Sequence, residues 1–188
     1  MRYGNAKTGP RKVKRIYPPV GEDDFVKLCD KVNDKVKVIF LLAYGSGLRQ
    51  AEVLDLQKED FDFKGKKLFV RQGKGSKDRV VNIPKHFRSS FLKHIPFSIT
   101  ARGVRSSFLT ASIKAGFNPV SFTDKAGRPR YKFHFHCLRS SYITRCLDNG
   151  IPIHQVMILA GHNNMATTSK YAQANPTDAI ANVFDKGV

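Results

Sequence analysis

His136-Cys137-Leu138-Arg139, Leu159-Ala160-Gly161-His162 and Thr167-Thr168-Ser169-Lys170-Tyr171 follow one another toward the end of the chain. His136 and Arg139 are three apart, a spacing that places both on one face of a helix. Phe133, Phe135 and Leu138 surround them and imply a partly buried setting, in which an arginine must find an anion. Acids are scarce here, since residues 79–188 hold 15 Lys/Arg and 4 Asp/Glu. Arg139 therefore asks for an anion from outside the chain. His162 and Tyr171 are nine apart, and at ~100° per residue one straight helix would put them on opposite sides. Gly161 and Asn163-Asn164 imply a break, with a new helix capped by an asparagine. Tyr171 then falls near the far end of that helix and can point back. A phenol, with an ordinary pKa of about 10, serves as a nucleophile only where cations stabilise its phenolate. Packing in the core is the commoner use of a tyrosine.

Upstream, Gly47-Leu48-Arg49-Gln50-Ala51-Glu52 repeats the three-residue spacing. A guanidinium held by a carboxylate is pre-aimed, and its fork matches two phosphate oxygens. A surface ion pair is the ordinary reading of such a pair taken alone. Lys74 lies between Gly73 and Gly75 in a basic connection that also carries Lys77 and Arg79. Glycines allow close backbone approach and the lysine supplies a mobile positive point. The Walker spacing is absent, so no nucleotide loop is implied.

The whole chain has 188 residues, 41% hydrophobic and 11% aromatic, with a net charge of +18. That length suffices for one domain burying roughly 70% of its unfolded surface. A charge of this size is most readily tolerated by a protein whose partner is a polyanion, and nucleic acid is the leading candidate. No long apolar span, secretion signal or lipidation motif favours a membrane. Cys29, Cys137 and Cys146 make no disulfide framework and read as small buried residues. His134-Phe135-His136-Cys137 matches no common zinc spacing, so no metal site is expected.

Residues 1–20 read as a basic arm or linker, with Arg11, Lys12, Lys14 and Arg15 ahead of Pro18-Pro19. Glu22, Asp23 and Asp24 mark a helix start. A buried helix is expected from Asp34 to Tyr44 and a short one from Leu48 to Leu56. Strands at Asp60–Phe63, Lys67–Arg71 and Val80–Ile83 suggest a small antiparallel sheet. Helices are expected over 85–94, 101–115, 137–149, 152–160, 164–173 and 177–185, with a loop from Phe117 to Phe133. The fold class is α+β and mainly helical, with a three-stranded antiparallel sheet on its flank.

Arg49 in Ser-Gly-Leu-Arg-x-x-Glu, Lys74 in Gly-Lys-Gly, His-x-Leu-Arg, Leu-x-Gly-His and Thr-Thr-x-x-Tyr occur in that order. Over about residues 18–185 the chain resembles the catalytic domain of the tyrosine recombinase (phage integrase) family. The resemblance implies the DNA breaking-rejoining type of fold. It also implies a site-specific recombinase or integrase that works through a 3′-phosphotyrosyl intermediate. Tyr171 would attack the phosphodiester, Arg49 and Arg139 would clamp its non-bridging oxygens, and His162 would donate to one of them. Lys74 would protonate the departing 5′ oxygen, His136 would assist as acid or base, and Glu52 would orient Arg49. Lys77, Arg79 and the basic arm would contact DNA. No cofactor, metal or ATP is implied, because the protein–DNA link stores the bond energy. The implied partners are double-stranded DNA and three further copies on paired sites, the free chain being a monomer. The implied location is cytoplasmic and DNA-associated, with a virus, plasmid or mobile element as a possible source. Residues 21–188 would form the catalytic domain, without the family's N-terminal core-binding domain. Ser140-Ser141 depart from the family, where a histidine commonly follows the arginine, and little consequence is expected. The alternatives are a type IB topoisomerase and a non-catalytic DNA-binding module of the same fold.

Overall fold

The computed structural model describes residues 18–71, 78–123, 127, 129–162 and 165–172. Its centre is helix α2 (Asp34–Ser46), whose residues are apolar almost all round and buried accordingly. The Asn33 side chain caps its start, accepting from the Val36 N–H at 3.1 Å. Its end is set by Gly47 in the left-handed region at φ 67°. Phe40 of α2 meets Phe108 at 5.4 Å and Phe135 at 6.0 Å between ring centroids. These rings lock α2 to α4 (Ala101–Lys114) and to the entry of α5 (His136–Asp148). Helix α1 (Glu22–Cys29) opens with three acids, as the helix dipole favours. The chain ahead of it is pinned to α5 by a 2.7 Å bond from the Val20 N–H to Ser141 Oγ.

After the short α3 (Gln50–Leu54), strands β1 (Phe61–Asp62), β2 (Lys67–Val70) and β3 (Arg79–Asn82) form an antiparallel sheet in the order β1-β2-β3. Leu68 lies opposite both Phe61 and Val81, so the three share the buried face. Ser46 Oγ donates to the Asn82 carbonyl at 2.7 Å and ties the sheet to the end of α2. Helices α6 (Ile153–Ala160) and α7 (Met165–Ala172) pack against α5 around Ile143, Cys146, Val156 and Ala160. All three cysteines are free and buried.

Two expectations differ from what forms. Residues 85–94 do not make an α-helix; Ser89–His94 is a 3₁₀ segment. Ser89 and Ser90 compete with the backbone for hydrogen bonds, which weakens a helix in its middle. Phe87 just before them is held in the aromatic cluster of the sheet, 4.8 Å from Phe61. The expected loop from Phe117 to Phe133 contains a two-stranded sheet, β4 (Val120–Thr123) and β5 (Pro129–Tyr131). Pro129 is tolerated because it opens its strand. The helix expected at 177–185 and the arm residues Arg11, Lys12, Lys14 and Arg15 lie outside the described residues. No helix among the described residues is long and apolar enough to cross a membrane.

Gly47 has both a positive φ and the Tyr142 ring where a Cβ would sit. Gly47→Ala should therefore destabilise the fold by roughly 2–5 kcal/mol, left-handed strain plus overpacking. Urea unfolding measures this, and an unchanged midpoint would contradict it.

Candidate functional site

The site is built on the end of α6. Gly161 takes the left-handed conformation at φ 63°, and its N–H reaches back to Ile158 O at 2.9 Å. The His162 N–H bonds Met157 O at 3.0 Å. The later carbonyls of the helix have no partner within it, as at any helix end. Three arginines supply the donors. Arg79 Nε donates to Leu159 O at 2.8 Å, Arg139 Nη2 to Ala160 O, and Arg49 Nη2 to Gly161 O. Cations are favoured at this negative end of a helix dipole.

The same arginines share Glu52, which is buried at 8% exposure. Arg79 grips it with two bonds of 3.0 and 2.8 Å, and Arg49 Nη1 with one of 2.6 Å. Arg139 Nη1 lies 3.8 Å from it. The Arg49 backbone N–H adds a bond of 2.7 Å, so Glu52 also caps α3. Burial alone would raise the Glu52 pKa, but the bonds from Arg79 and Arg49 hold it down at about 2. Three guanidiniums against one carboxylate leave these four side chains at net +2 (3 − 1).

Arg49 is the exposed member, its side chain 39% accessible. Arg139 is 1% exposed and differs from the expectation of a base waiting for an outside anion. Its acceptors are backbone carbonyls, Gly47 O at 2.7 Å and Ala160 O, which a count of acids in the sequence does not reveal. Burial and the neighbouring Arg49 press its pKa down to about 9, so it stays charged at neutral pH. His136 opens α5 and His162 follows Gly161; burial first, then Arg139, lowers both to about 4. Both imidazoles are therefore neutral at pH 7. His162 Nδ1 is 2.8 Å from Thr168 Oγ1 of α7. Tyr171, on the same helix, packs against the core cluster shared by α5 and α6, with its hydroxyl 3.4 Å from Ser140 Oγ. A hollow of about 130 Å³ lies alongside, lined by Gln50, Arg105, His134, His136 and Arg139 among others.

Arg49, Glu52, His136, Arg139, His162 and Tyr171 are thus drawn from four helices or their edges toward one locality. Lys74 and Lys77 lie outside the described residues. Arg79 does not face solvent as a DNA contact would; its side chain is 5% exposed and braces Glu52 to α6. Strand alternation carries the reason, since Arg79 is in phase with the inward Val81. Read that way, the sequence could have revealed the buried arginine. Thr168, 0% exposed, was part of a quoted motif without a role of its own. Ser140 is likewise fully buried and meets Tyr171, a consequence that its departure from the family pattern did not suggest. Among the described residues, no group of three or more His, Cys, Asp or Glu is placed to hold a metal ion. What the arrangement offers is a preformed set of cationic donors for a multi-oxygen anion.

Residues 20–178 match the phage integrase family. Tyrosine recombinase XerA of Thermococcus onnurineus is 33% identical, over 87% of this chain and 55% of its own length. Tyrosine recombinase XerC of Staphylococcus aureus is 27% identical, again over 87% of this chain and 55% of its own length. The chain spans little more than half the length of these curated relatives. A crystal structure of XerA recombinase superposes with a TM-score of 0.67 at 20% identity, covering 93% of this chain and 67% of that one. The catalytic domain of bacteriophage HP1 integrase gives a TM-score of 0.59 at 19% identity, covering 84% and 88%. XerH site-specific recombinase bound to palindromic difH substrate gives 0.68 at 16% identity, covering 91% and 54%. These superpositions show a common fold.

The depressed histidines and Glu52 fix the sign of the acid response. A group whose folded pKa lies below its unfolded one adds stability above the unfolded value and loses it as pH falls through the folded value. For His136 and His162 the window runs from 6.5 down to about 4, and Glu52 extends the loss from 4.5 toward about 2. The urea midpoint should hold above pH 7 and fall between pH 6.5 and 4, less steeply in His162→Asn. Parallel profiles for the two proteins would contradict this.

Proposed function

The chain belongs to the phage integrase family, and from that premise we propose that it is a site-specific DNA recombinase cleaving and rejoining DNA through Tyr171. The observation that carries the reading is the cluster of Arg49, Arg139 and His162 at net positive charge, with the Tyr171 hydroxyl at the turn of α5 next to Arg139. Residues 21–188 serve as the catalytic domain. Double-stranded DNA is the substrate, and four copies act on two paired duplexes, the free chain being a monomer. The XerH relative was solved on its difH DNA, which supports DNA as the partner here. A DNA-associated place in the cytoplasm and an origin in a mobile element belong to the same proposal.

In this reading Tyr171 Oη attacks a backbone phosphorus, forming a 3′-phosphotyrosyl bond as the 5′ oxygen leaves. Arg49, the accessible guanidinium, clamps non-bridging oxygens from the front, and Arg139 supports them from behind. His162 donates a hydrogen bond to one of those oxygens. Because these donors are fixed before substrate arrives, charge developing in the transition state meets them without reorganisation. His136, neutral at pH 7, accepts the phenol proton. Lys74 protonates the 5′ oxygen, and Lys77 with Arg11, Lys12, Lys14 and Arg15 holds the DNA backbone. Religation is the reverse displacement by a 5′-hydroxyl and needs no outside energy source.

Nicked suicide substrates drawn from a library of candidate sites test this directly. Incubation followed by a denaturing gel should show a covalent protein–DNA adduct. Tyr171→Phe should abolish the adduct and spare affinity, while Arg49→Ala should slow its formation about 10²–10³-fold. Binding should weaken steeply with salt through counterion release. Bound DNA without an adduct would leave a binding module of this fold, and relaxation without strand exchange would leave a topoisomerase.

A further inference from the structure

Thr168 is buried at 0% exposure, and the Oγ1–Nδ1 distance of 2.8 Å is that of a good hydrogen bond. A neutral imidazole has one donor and one acceptor nitrogen, and the partner of one nitrogen decides the state of the other. With Nδ1 engaged by Thr168, any proton that His162 offers to substrate must come from Nε2. A threonine hydroxyl can either donate or accept, so the geometry admits two tautomers. If Nδ1–H donated to Thr168, Nε2 would turn a lone pair toward a phosphate oxygen, which is repulsive. If Thr168 donates to Nδ1, Nε2 carries the proton and can bond the oxygen.

Resting on the recombinase reading above, we propose that Thr168 is a positioning residue that donates to His162 Nδ1 and so fixes the Nε2–H tautomer. Its place on α7 gives the bond a second effect. Thr168 is one turn before Tyr171, so the bond also ties the orientation of the donor imidazole to the helix that carries the nucleophile. Burial without a hydroxyl would fill the same space; what the hydroxyl adds is direction for a proton.

Nitrogen-15 histidine NMR reads the tautomer without reference to activity, with the His162 signals assigned by their loss in His162→Asn. In the Tyr171→Phe chain bound to a short duplex, His162 should be in the Nε2–H form. Adding Thr168→Val should mix the two forms, and Thr168→Ser should restore the first. In the chain with Tyr171 intact, Thr168→Val should lower the adduct rate about 10–100-fold, by analogy with the loss of a hydrogen-bond partner that orients a metal-bound histidine. DNA affinity and melting temperature should be nearly unchanged, and Thr168→Ser should recover most of the rate. An Nδ1–H form in the DNA complex, or Thr168→Val at full rate, would overturn the proposal. Absence of any adduct from the unsubstituted chain would instead sink the recombinase reading, while the NMR result would still decide what Thr168 does.

Discussion

One buried carboxylate serves three guanidiniums, and the rest of the site depends on that shortage. Burying Arg79 and Arg139 next to Arg49 would be prohibitive if each needed its own acid, because desolvating an ion costs several kcal/mol. The fold offsets this with backbone oxygen. Carbonyls of Leu159, Ala160 and Gly161 at the end of α6, and of Gly47 at the end of α2, accept donors that Glu52 does not, and among the described residues Arg139 Nε alone of the cluster's buried donors is left without a partner. Carbonyls satisfy hydrogen-bonding needs without cancelling charge. The result is a cluster whose donors are oriented by fixed acceptors while its charge remains. An anion entering such a site meets attraction from groups that have already been desolvated, where each unit of charge acts more strongly than in water.

The same logic gives each motif a physical reason. The glycine of Leu-x-Gly-His is needed because a left-handed residue must turn the chain away while leaving three carbonyls open to the arginines. Gly47, likewise a left-handed cap, lends its carbonyl to Arg139 and then hands the chain to Leu48 and Arg49. Helix ends contribute much of the site, with Arg79 on β3 and Arg139 within α5 as the exceptions. Arg49 precedes α3, His136 starts α5, and His162 follows α6. Termini are where backbone groups stand unpaired and side chains can meet them.

This explains which parts could be read from the sequence. The all-apolar α2, the period-two strands and the Arg49–Glu52 pair follow local rules of spacing, and each formed close to where it was expected. Arg79 reads as surface because it follows a stretch rich in lysine and glycine; only its phase with Val81 betrays an inward side chain. The partners of Arg139 had no signature at all, since a carbonyl acceptor can belong to any residue. The small sheet of β4 and β5 was hidden by Pro119, Gly127 and Pro129, which read as loop although the short runs between them can pair. Ser140 and Thr168 were visible as letters in or beside motifs, but their contacts arise from the packing of α7 on α5 and α6.

The division of labour between the two cores has a mechanistic bearing. The cations sit where the large core around α2, the sheet and the α6 end meet, so their geometry is set by most of the chain. Tyr171 belongs to the smaller cluster of Ile143, Cys146, Val156 and Ala160. Among the described residues, Tyr171 with Ser140 and Thr168 with His162 join α7 to the cationic side. In the proposed reading, electrostatic stabilisation would therefore rest on the larger core and the nucleophile on the smaller one. The proposed phosphodiester transfer, which would run in both directions, would benefit from this arrangement. The cationic cluster would hold its place while the phenol took on and gave up a bond, and the His162 imidazole, bonded to Thr168 of α7, would respond to both.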